Sequence, residues 1–566
     1  MKWDVKKNFT TAKSTPKIDT IVSYLLEARG ITDEEQKNLF LFPKLEQVTA
    51  ENVGLDRKKM AQAVKRIEKA IQGGEQIIIF GDYDVDGICA SAILWEALHH
   101  KTSKVMPYIP HRIEEGYGLS TAGIRNVVEQ FPETKLIITV DNGIVANEAV
   151  TFANSLGIDV IITDHHLPHE DAAHQLPAAH SIVHTTKLCG AGIAWVLSKE
   201  FIGDDAVLQK EHVSDHLVFA ALATIADMVP LINENRTIVK HGLPELRRTM
   251  RVGLRALFAE AGIEQRSIQT YQIGHQISPR LNASGRMESA MDSLRLLCTR
   301  DQRRATELAN LLGEINKFRQ EETMLATEHA VGQMADGKWQ MAKLLIVADA
   351  SYPQGVIGLV AGKLVEKFYR PAIVIAIGET HSKASVRSVK GFNIIEFLRT
   401  QSEHFVNVGG HPMAAGFTIE TSKISALKKI LEDAAEQSLS EDHLMRTLAI
   451  DAALPLKIVN QELYQALQAL APFGMGNPEP VFSSRAEVKD IRILGRAGNH
   501  LKLKLSNNSD VFDAIGFGMG ERAGEIKIGD EIEVAYIVDE NEWNGRRNLQ
   551  LKLKDIRRSH SKQVVR

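Results

Sequence analysis

Between Gln76 and Val183 the chain repeats one pattern: an apolar run rich in Ile and Val, a polar or acidic break, then a helical stretch. The runs are Gln76–Phe80 (QIIIF), Lys104–Ile109 (KVMPYI), Lys135–Val140 (KLIITV), Asp159–Thr163 (DVIIT) and Ser181–Val183 (SIV). Strand-length runs alternating with helical patterns are the signature of βαβ units around a parallel sheet. The expected fold class is therefore α/β. Such a sheet also says where chemistry belongs, because ligands bind outside the carboxyl ends of its strands.

Those ends are acidic. The first run leads into Phe80-Gly81-Asp82-Tyr83-Asp84-Val85-Asp86-Gly87, with three carboxylates at every second residue. Asp141-Asn142-Gly143 follows KLIITV, and Asp164-His165-His166 follows DVIIT. Asp227, in Ala226-Asp227-Met228-Val229-Pro230, adds a carboxylate at a predicted helix end. The first loop alone reads equally well as plain turn chemistry, since aspartates are common in turns; recurrence at three strand ends favours a site. Mixed carboxylate and imidazole sets suit Mn²⁺ or Mg²⁺ better than structural zinc. Without a cation, so many carboxylates would raise one another's pKa. Two divalent ions about 3.5–4 Å apart resolve that crowding and form the usual apparatus for phosphodiester hydrolysis, activating water and neutralising charge on the phosphoryl oxygens.

The rest of the chain divides by style. Residues 1–72 read as an N-terminal helical segment, ending in an amphipathic helix over Leu55–Gln72. The sheet with acidic breaks occupies 73–230, and 231–335 is helical. The last part of that region, Asp301 to Met334, reads as one long amphipathic connector through Leu308, Leu311, Leu312, Ile315, Phe318 and Leu325. A second α/β block spans 336–440, with strands KLLIVA and AIVIA and a loop at Gly409-Gly410-His411. Residues 447–558 carry short alternating runs, such as His500–Leu505 and Glu531–Val538, expected to form a small antiparallel β-barrel.

Composition narrows the class. With 566 residues, 44% hydrophobic and 24% charged, the chain is long enough for about three to five globular domains, and neither fibrous nor wholly disordered. Lys+Arg 67 against Asp+Glu 71 leaves a net charge of −4, so a polyanion must be held by local patches. The three cysteines, Cys89, Cys189 and Cys298, are too widely spaced for a zinc ribbon or a small disulfide framework. A reducing, cytoplasmic setting is expected, with no signal peptide and no membrane partner.

On these residues the chain resembles the DHH phosphoesterase superfamily, named for the triplet standing here as Asp164-His165-His166. The GDYDVDG loop, Asp141, the triplet and Asp227 match its four motifs in order. The resemblance implies Asp82, Asp84, Asp86, Asp141, His165 and Asp227 as metal ligands for Mn²⁺ or Mg²⁺, with Asp84 and Asp141 central to catalysis. Which first-loop aspartate binds which ion stays open. The resemblance makes His166 a phosphate contact or an acid near the leaving group. Gly409-Gly410-His411-Pro412-Met413-Ala414-Ala415-Gly416 and Ala384-Ser385-Val386-Arg387-Ser388 are similar to the DHHA1 domain that partners DHH proteins. They imply Ser385, Arg387, Gly409, Gly410 and His411 as contacts to nucleic acid.

Three further stretches are similar to the RecJ family of single-strand-specific DNA exonucleases: Pro279-Arg280-Leu281-Asn282-Ala283-Ser284-Gly285-Arg286, Cys189-Gly190-Ala191-Gly192, and Pro472-Phe473-Gly474-Met475-Gly476-Asn477-Pro478. The first adds Arg280, Asn282 and Arg286 as expected contacts to nucleic acid, with the two arginines on phosphates. The last precedes an oligonucleotide-binding (OB) barrel in that family. One departure is visible: Tyr352-Pro353-Gln354-Gly355-Val356 stands where the family often has W-H-x-G-V. The implied architecture is a parallel-sheet DHH lobe and a smaller α/β DHHA1 lobe joined by a long helix, then an OB-like barrel. The implied activity is 5′→3′ removal of mononucleotides from single-stranded DNA in repair and recombination, by a monomer, with a helicase or single-strand-binding protein as possible partners. The basic bias of 546–566, with Trp543 and Phe517 as stacking or core residues, fits strand binding by the barrel. The rival is a DHH phosphodiesterase acting on short oligoribonucleotides or cyclic dinucleotides, against which the C-terminal barrel argues.

Overall fold

The computed structural model describes residues 1–10, 16–111, 115–116, 118–168, 176–287, 289–334, 337, 342–495, 497–507, 509–543 and 546–558, with the backbone alone at 543 and 546. The chain opens with strand β1 (Lys2–Val5). The five expected runs then form β2 (Gln76–Phe80), β3 (Val105–Tyr108), β4 (Thr134–Val140), β5 (Asp159–Asp164) and β6 (Ser181–His184). They make an all-parallel sheet in the order β3-β2-β4-β5-β6. Ile77, Ile78, Ile79, Ile137, Ile138, Ile161 and Ile162 are fully buried, as strands covered by helices on both faces require. The chain leaves β2 toward β3 on one side and returns to β4 on the other. That reversal is the topological switch point, between the carboxyl ends of β2 and β4.

A helix of 32 residues, Gln302–Gln333, follows; at 1.5 Å per residue it is about 48 Å long. Ala305, Leu308, Leu312 and Ile315 are buried near its start, and Ala326 and Ala330 near its end. The latter two join the core of the second lobe with Val347, Val356 and Val360. Two residues of the expected apolar face do not bury: Phe318 is 51% exposed and Leu325 57%. Asn316 and Ala326, close to them in sequence, are buried, so Phe318 and Leu325 lie on the solvent side of the helix rather than on its packed face.

The second lobe is a mixed sheet of β7 (Leu345–Asp349), β8 (Ala372–Ala376), β9 (His381–Arg387), β10 (Asn407–His411) and β11 (Ala414–Glu420), ordered β10-β11-β9-β8-β7. The glycine stretch expected as a loop is therefore strand β10, held extended by its antiparallel ladder with β11.

The C-terminal strands are β12 (Thr447–Ile450), β13 (Ala452–Ala453), β14 (Phe482–Leu494), β15 (His500–Ser506), β16 (Val511–Gly516), β17 (Glu531–Trp543) and β18 (Arg546–Arg558). Strands β14 to β18 close into a barrel through the β14–β17 pairing. Its ladders are antiparallel except β16–β18, which is parallel. Leu501, Leu503, Leu505, Val534, Tyr536 and Leu551 fill it.

The chain forms two compact units. One comprises 48–229 and 241–446 and contains both α/β lobes; the other comprises 1–47, 230–240 and 447–566. In the second unit β1 pairs in parallel with β12, and Ile21, Leu25 and Leu26 share the barrel core with Leu463, Leu467 and Phe482. The Trp3 indole donates to Asp555 at 2.7 Å. Arg236, 1% exposed, donates to the carbonyls of Phe40 and Ala471.

Candidate metal centre and nucleic-acid interface

Every carboxylate and imidazole expected at the metal centre lies at one edge of the parallel sheet. Asp82, Asp84 and Asp141 place ligand atoms within 4.8 Å of one another, as do Asp86, His165 and Asp227, and Asp141, His165 and His166. Asp141 and His165 each belong to two of these groups. The His165 Nε2 atom lies 3.1 Å from Asp141 and 3.7 Å from both Asp86 and Asp227.

Local folding explains how the loops reach that edge. Asp84 caps helix Val85–His99, one carboxylate oxygen accepting from the amides of Asp86 at 2.9 Å and Gly87 at 3.1 Å. Asp86 accepts from the amides of Gly190 (2.6 Å) and Ala191 (2.7 Å), at the start of helix Gly190–Ile202. The CGAG stretch thus seats a metal-loop carboxylate on a helix N-terminus. A Cβ at Gly190 would lie 2.5 Å from that of Asp141, so only glycine permits the approach. Asp141 itself has φ 64°, a left-handed conformation at the strand end. Asn142 braces the turn by accepting from Leu119 N and donating to the carbonyls of Phe80 and Val140.

Asp164 is not placed as a ligand. It accepts from the amides of Ile144, His165 and His166 and from Nδ1 of His166 at 2.8 Å. That last bond occupies Nδ1 and leaves the opposite ring nitrogen of His166 pointing away from Asp164. The positioning role of Asp164 has one visible signal in sequence, a carboxylate directly before two histidines.

The electrostatics fit a divalent cation. Asp141 Oδ1 is buried and accepts no hydrogen bond. Burial, then the charges of Asp86, Asp84, Asp82 and Asp227, push the Asp141 carboxyl well above its ordinary range. Burial and then Asp86 raise Asp84; burial, Asp86 and Asp84 push Asp227 up to about 8. Burial lowers His165 more than the neighbouring carboxylates raise it, so its imidazole is held neutral. Burial also opposes charge on His166, but the hydrogen bond and charge of Asp164, with Asp82 and Asp227, raise it to about 9. Carboxylates that repel one another, beside a neutral imidazole, make an oxygen-rich donor set for a hard or borderline cation. A fourth acidic group, Glu96, Glu211 and His216, is instead part of an ion-pair network in which Arg251 contacts Glu96 at 2.5 Å.

The expected DNA contacts divide. In the second lobe the ladders align Ser385 with Gly416 and Gly409, and Arg387 with Ala414 and His411. Gly409, Gly410 and His411 are exposed. Among the described residues no carboxylate contacts Arg387; it donates to Ser385 Oγ at 3.2 Å, and a Cβ at Gly358 would lie 3.0 Å from its guanidinium. Arg280, by contrast, pairs with Glu260 at 2.5 Å. Asn282 accepts from the amide of Val85 at 2.9 Å. Both stand on helix Ser278–Met287 with Arg286.

On the barrel, Phe517 is 59% exposed, edge-on to His500 with ring centroids 5.3 Å apart, and Lys552 Nζ lies 6.0 Å from its ring. Other basic residues there are engaged: Arg547 with Glu540 and Glu542, Arg557 with Met1 O, and Arg558 with Glu525 O. Lys562, Arg566 and the side chains of Trp543 and Arg546 lie outside the described residues. No described helix is long and apolar enough to cross a membrane.

Comparison with known proteins agrees with this organisation. The N-terminal domain of the DHH family matches residues 76–225, the DHHA1 domain 339–437 and the RecJ OB domain 450–555. The chain is 36% identical over 572 residues to the single-stranded-DNA-specific exonuclease RecJ of Bacillus subtilis (strain 168), covering 98% of this chain and 70% of that one. RecJ of Escherichia coli (strain K12) is 30% identical over 530 residues, 88% of this chain and 89% of that one. The crystal structure of RecJ with Mn²⁺ from Thermus thermophilus matches with a TM-score of 0.80 at 28% identity, covering 97% of this chain and 79% of that one. With three domain matches in the same order and a relative matched along nearly the whole chain, this protein belongs to the RecJ family.

Proposed function

We propose that this chain is a metal-dependent exonuclease that hydrolyses the phosphodiester bonds of single-stranded DNA, proceeding 5′→3′ and releasing mononucleotides. The observation that carries the reading is the convergence of Asp82, Asp84, Asp86, Asp141, His165 and Asp227 on one sheet edge, in a chain that also carries a RecJ OB barrel. Two divalent ions, Mn²⁺ or Mg²⁺, would supply an activated water and neutralise the charge developing on the phosphoryl oxygens. Asp141 holds the centre of the ligand set, and Asp86 is oriented by Gly190 and Ala191. His166, kept protonated by Asp164, donates toward the phosphate or the leaving oxygen. Ser385, Arg387 and the Gly409–His411 strand hold a phosphate near the strand terminus. The barrel adds affinity for longer strands through Phe517 and Lys552. The same reading takes the protein as a cytoplasmic monomer that works beside a helicase or a single-strand-binding protein.

A second phosphodiesterase reading, on short oligoribonucleotides or cyclic dinucleotides, gains nothing from the barrel. The deciding assay follows 5′-labelled single-stranded DNA, short RNA and cyclic dinucleotides, each with and without Mn²⁺. The expected result is mononucleotide release from DNA alone that stops with EDTA. Turnover of cyclic dinucleotides with intact DNA would overturn the proposal.

A further inference from the structure

Helix Ser278–Met287 touches the metal loop at two points. The first is a hydrogen bond from the amide of Val85 to Oδ1 of Asn282, at 2.9 Å. Val85 opens helix Val85–His99, where the first four amides have no partner within the helix. Three of these are satisfied from outside the helix ladder, Val85 N by Asn282 and Asp86 N and Gly87 N by the Asp84 side chain, before the ordinary helix bond from Ile88 N to the Asp84 carbonyl begins. Asn282 supplies the only one of these acceptors that comes from outside the loop. The second point is steric. A Cβ on Gly285 would sit 2.4 Å from the carbonyl oxygen of Tyr83 and 3.1 Å from its Cβ, so the helix lies directly against the residue between Asp82 and Asp84.

The helix that makes these contacts is itself anchored. Ser284 Oγ and Ser293 Oγ are 2.8 Å apart, Ser293 donates to the carbonyl of Leu281, and Arg280 is paired with Glu260. Leu281, Ala283 and Ser284 are buried. At its far end, a Cβ on Gly355 of the second lobe would come 3.0 Å from the carbonyl of Arg286. One rigid element therefore bears on the first metal loop and on the second lobe.

We infer that Asn282 and Gly285 are positioning residues of the metal centre, holding Asp82, Asp84 and Asp86 in ligating geometry through the backbone, and that Asn282 acts as an acceptor for Val85 N. This inference rests on the metal-binding reading above. It makes a distinction that a DNA-contact role does not. An amide that grips a phosphate works through its Nδ2 donor, whereas an amide that braces Val85 works through its Oδ1 acceptor. Asn282→Asp keeps the acceptor and removes the donor; Asn282→Ala removes both.

Mn²⁺ binding to the full-length protein, titrated by calorimetry without DNA, tests it. Removing a residue that orients metal ligands typically weakens metal affinity by 10–100-fold. Asn282→Ala is expected to lose about tenfold or more in Mn²⁺ affinity, while Asn282→Asp stays within about threefold of wild type. Gly285→Ala is expected to weaken Mn²⁺ like Asn282→Ala, and if it fails to fold, the Asn282 pair alone decides. Unchanged Mn²⁺ affinity in Asn282→Ala, or equal losses in Ala and Asp variants, would overturn the inference with the metal reading intact. A wild-type protein that binds no Mn²⁺ would overturn both.

Discussion

Asp141 concentrates the electrostatic tension of the site: it is buried, contacts His165, and is shared between two candidate ligand groups. Its left-handed backbone also makes asparagine the gentlest replacement, because Asn tolerates that region better than other residues with a Cβ. Asp141→Asn should therefore fold, and in EDTA should melt no lower than wild type, since a repelling carboxylate is gone. Metal-dependent turnover should fall by a factor of about 100 or more; turnover within a few-fold of wild type, at full Mn²⁺ occupancy, would remove Asp141 from the ligand set. His212 offers a second residue-scale expectation, away from that cluster. Its ring stacks on Trp195 at 4.6 Å, and burial, then His216 and Lys199, lower its pKa to about 3. The folded state thus keeps it neutral while the unfolded chain protonates it below about 6.5. Stability is complete above pH 6.5 and declines as pH falls from there toward 3, by up to about 5 kcal/mol. Glu96, lowered to about 2 because His216 and Arg251 outweigh its burial, adds a loss in the same direction below pH 4.5. Replacing His212 by Phe keeps the stack and removes the titration, so the Tm of the variant should drop less than that of wild type between pH 6.5 and 4. Parallel Tm curves would show that His212 does not titrate as described.

At the scale of elements, the barrel strands separate basic residues that are engaged from those that face solvent. Arg547, Arg557 and Arg558 already have partners, whereas Phe517, with His500 and Lys552 around it, presents an exposed ring. Base stacking on such a ring is worth about 1–3 kcal/mol, so Phe517→Ala should weaken binding of long single strands by roughly fivefold to over a hundredfold. Its kcat on saturating DNA should stay near wild type, because the contact serves ground and transition states alike. Equal Kd values for the two proteins by fluorescence anisotropy would place base stacking elsewhere. The elements also show why some local readings miss. The stretch PRLNASGR contains Pro, Asn and Gly, poor helix formers, yet it folds as helix Ser278–Met287 with Leu281, Ala283 and Ser284 buried. Glycines 409 and 410 suggest a turn, yet pairing with β11 draws them into a strand. In both cases tertiary contacts outweigh a propensity of about 1 kcal/mol per residue.

For the whole molecule, the unit that holds the barrel also includes residues 1–47 and 230–240. Truncation after Ser440 keeps every proposed metal ligand and the second lobe, but it removes the core into which Ile21, Leu25 and Leu26 pack and the partner strand of β1. Limited proteolysis of that truncated chain should cut first within residues 1–47, where a fragment spanning 48–440 offers no such target. Both should show a raised KM on long single-stranded DNA with kcat preserved at saturation. Resistance of residues 1–47 in the truncated chain would show that the N-terminal segment has another support.

Much of this protein was legible before any coordinates. The parallel sheet, the order of its acidic breaks and the alternating C-terminal strands follow from local periodicity, which records whether one face or both are buried. The metal-ligand candidates were legible too, because in a parallel sheet every strand carboxyl end lies at the same edge, and the residues just past Phe80, Val140 and Thr163 must meet there. Other features depend on contacts between segments far apart in the chain, and nothing local encodes them. The pairing of β1 with β12 joins Lys2 to Thr447. The seating of Asp86 on Gly190 and Ala191, and the brace from Asn282 to Val85, span separations of about a hundred to two hundred residues. Which acidic side chains come within reach of one another, and that Arg280 pairs with Glu260, were decided only when distant helices closed against the sheet and buried amides and charges found partners there.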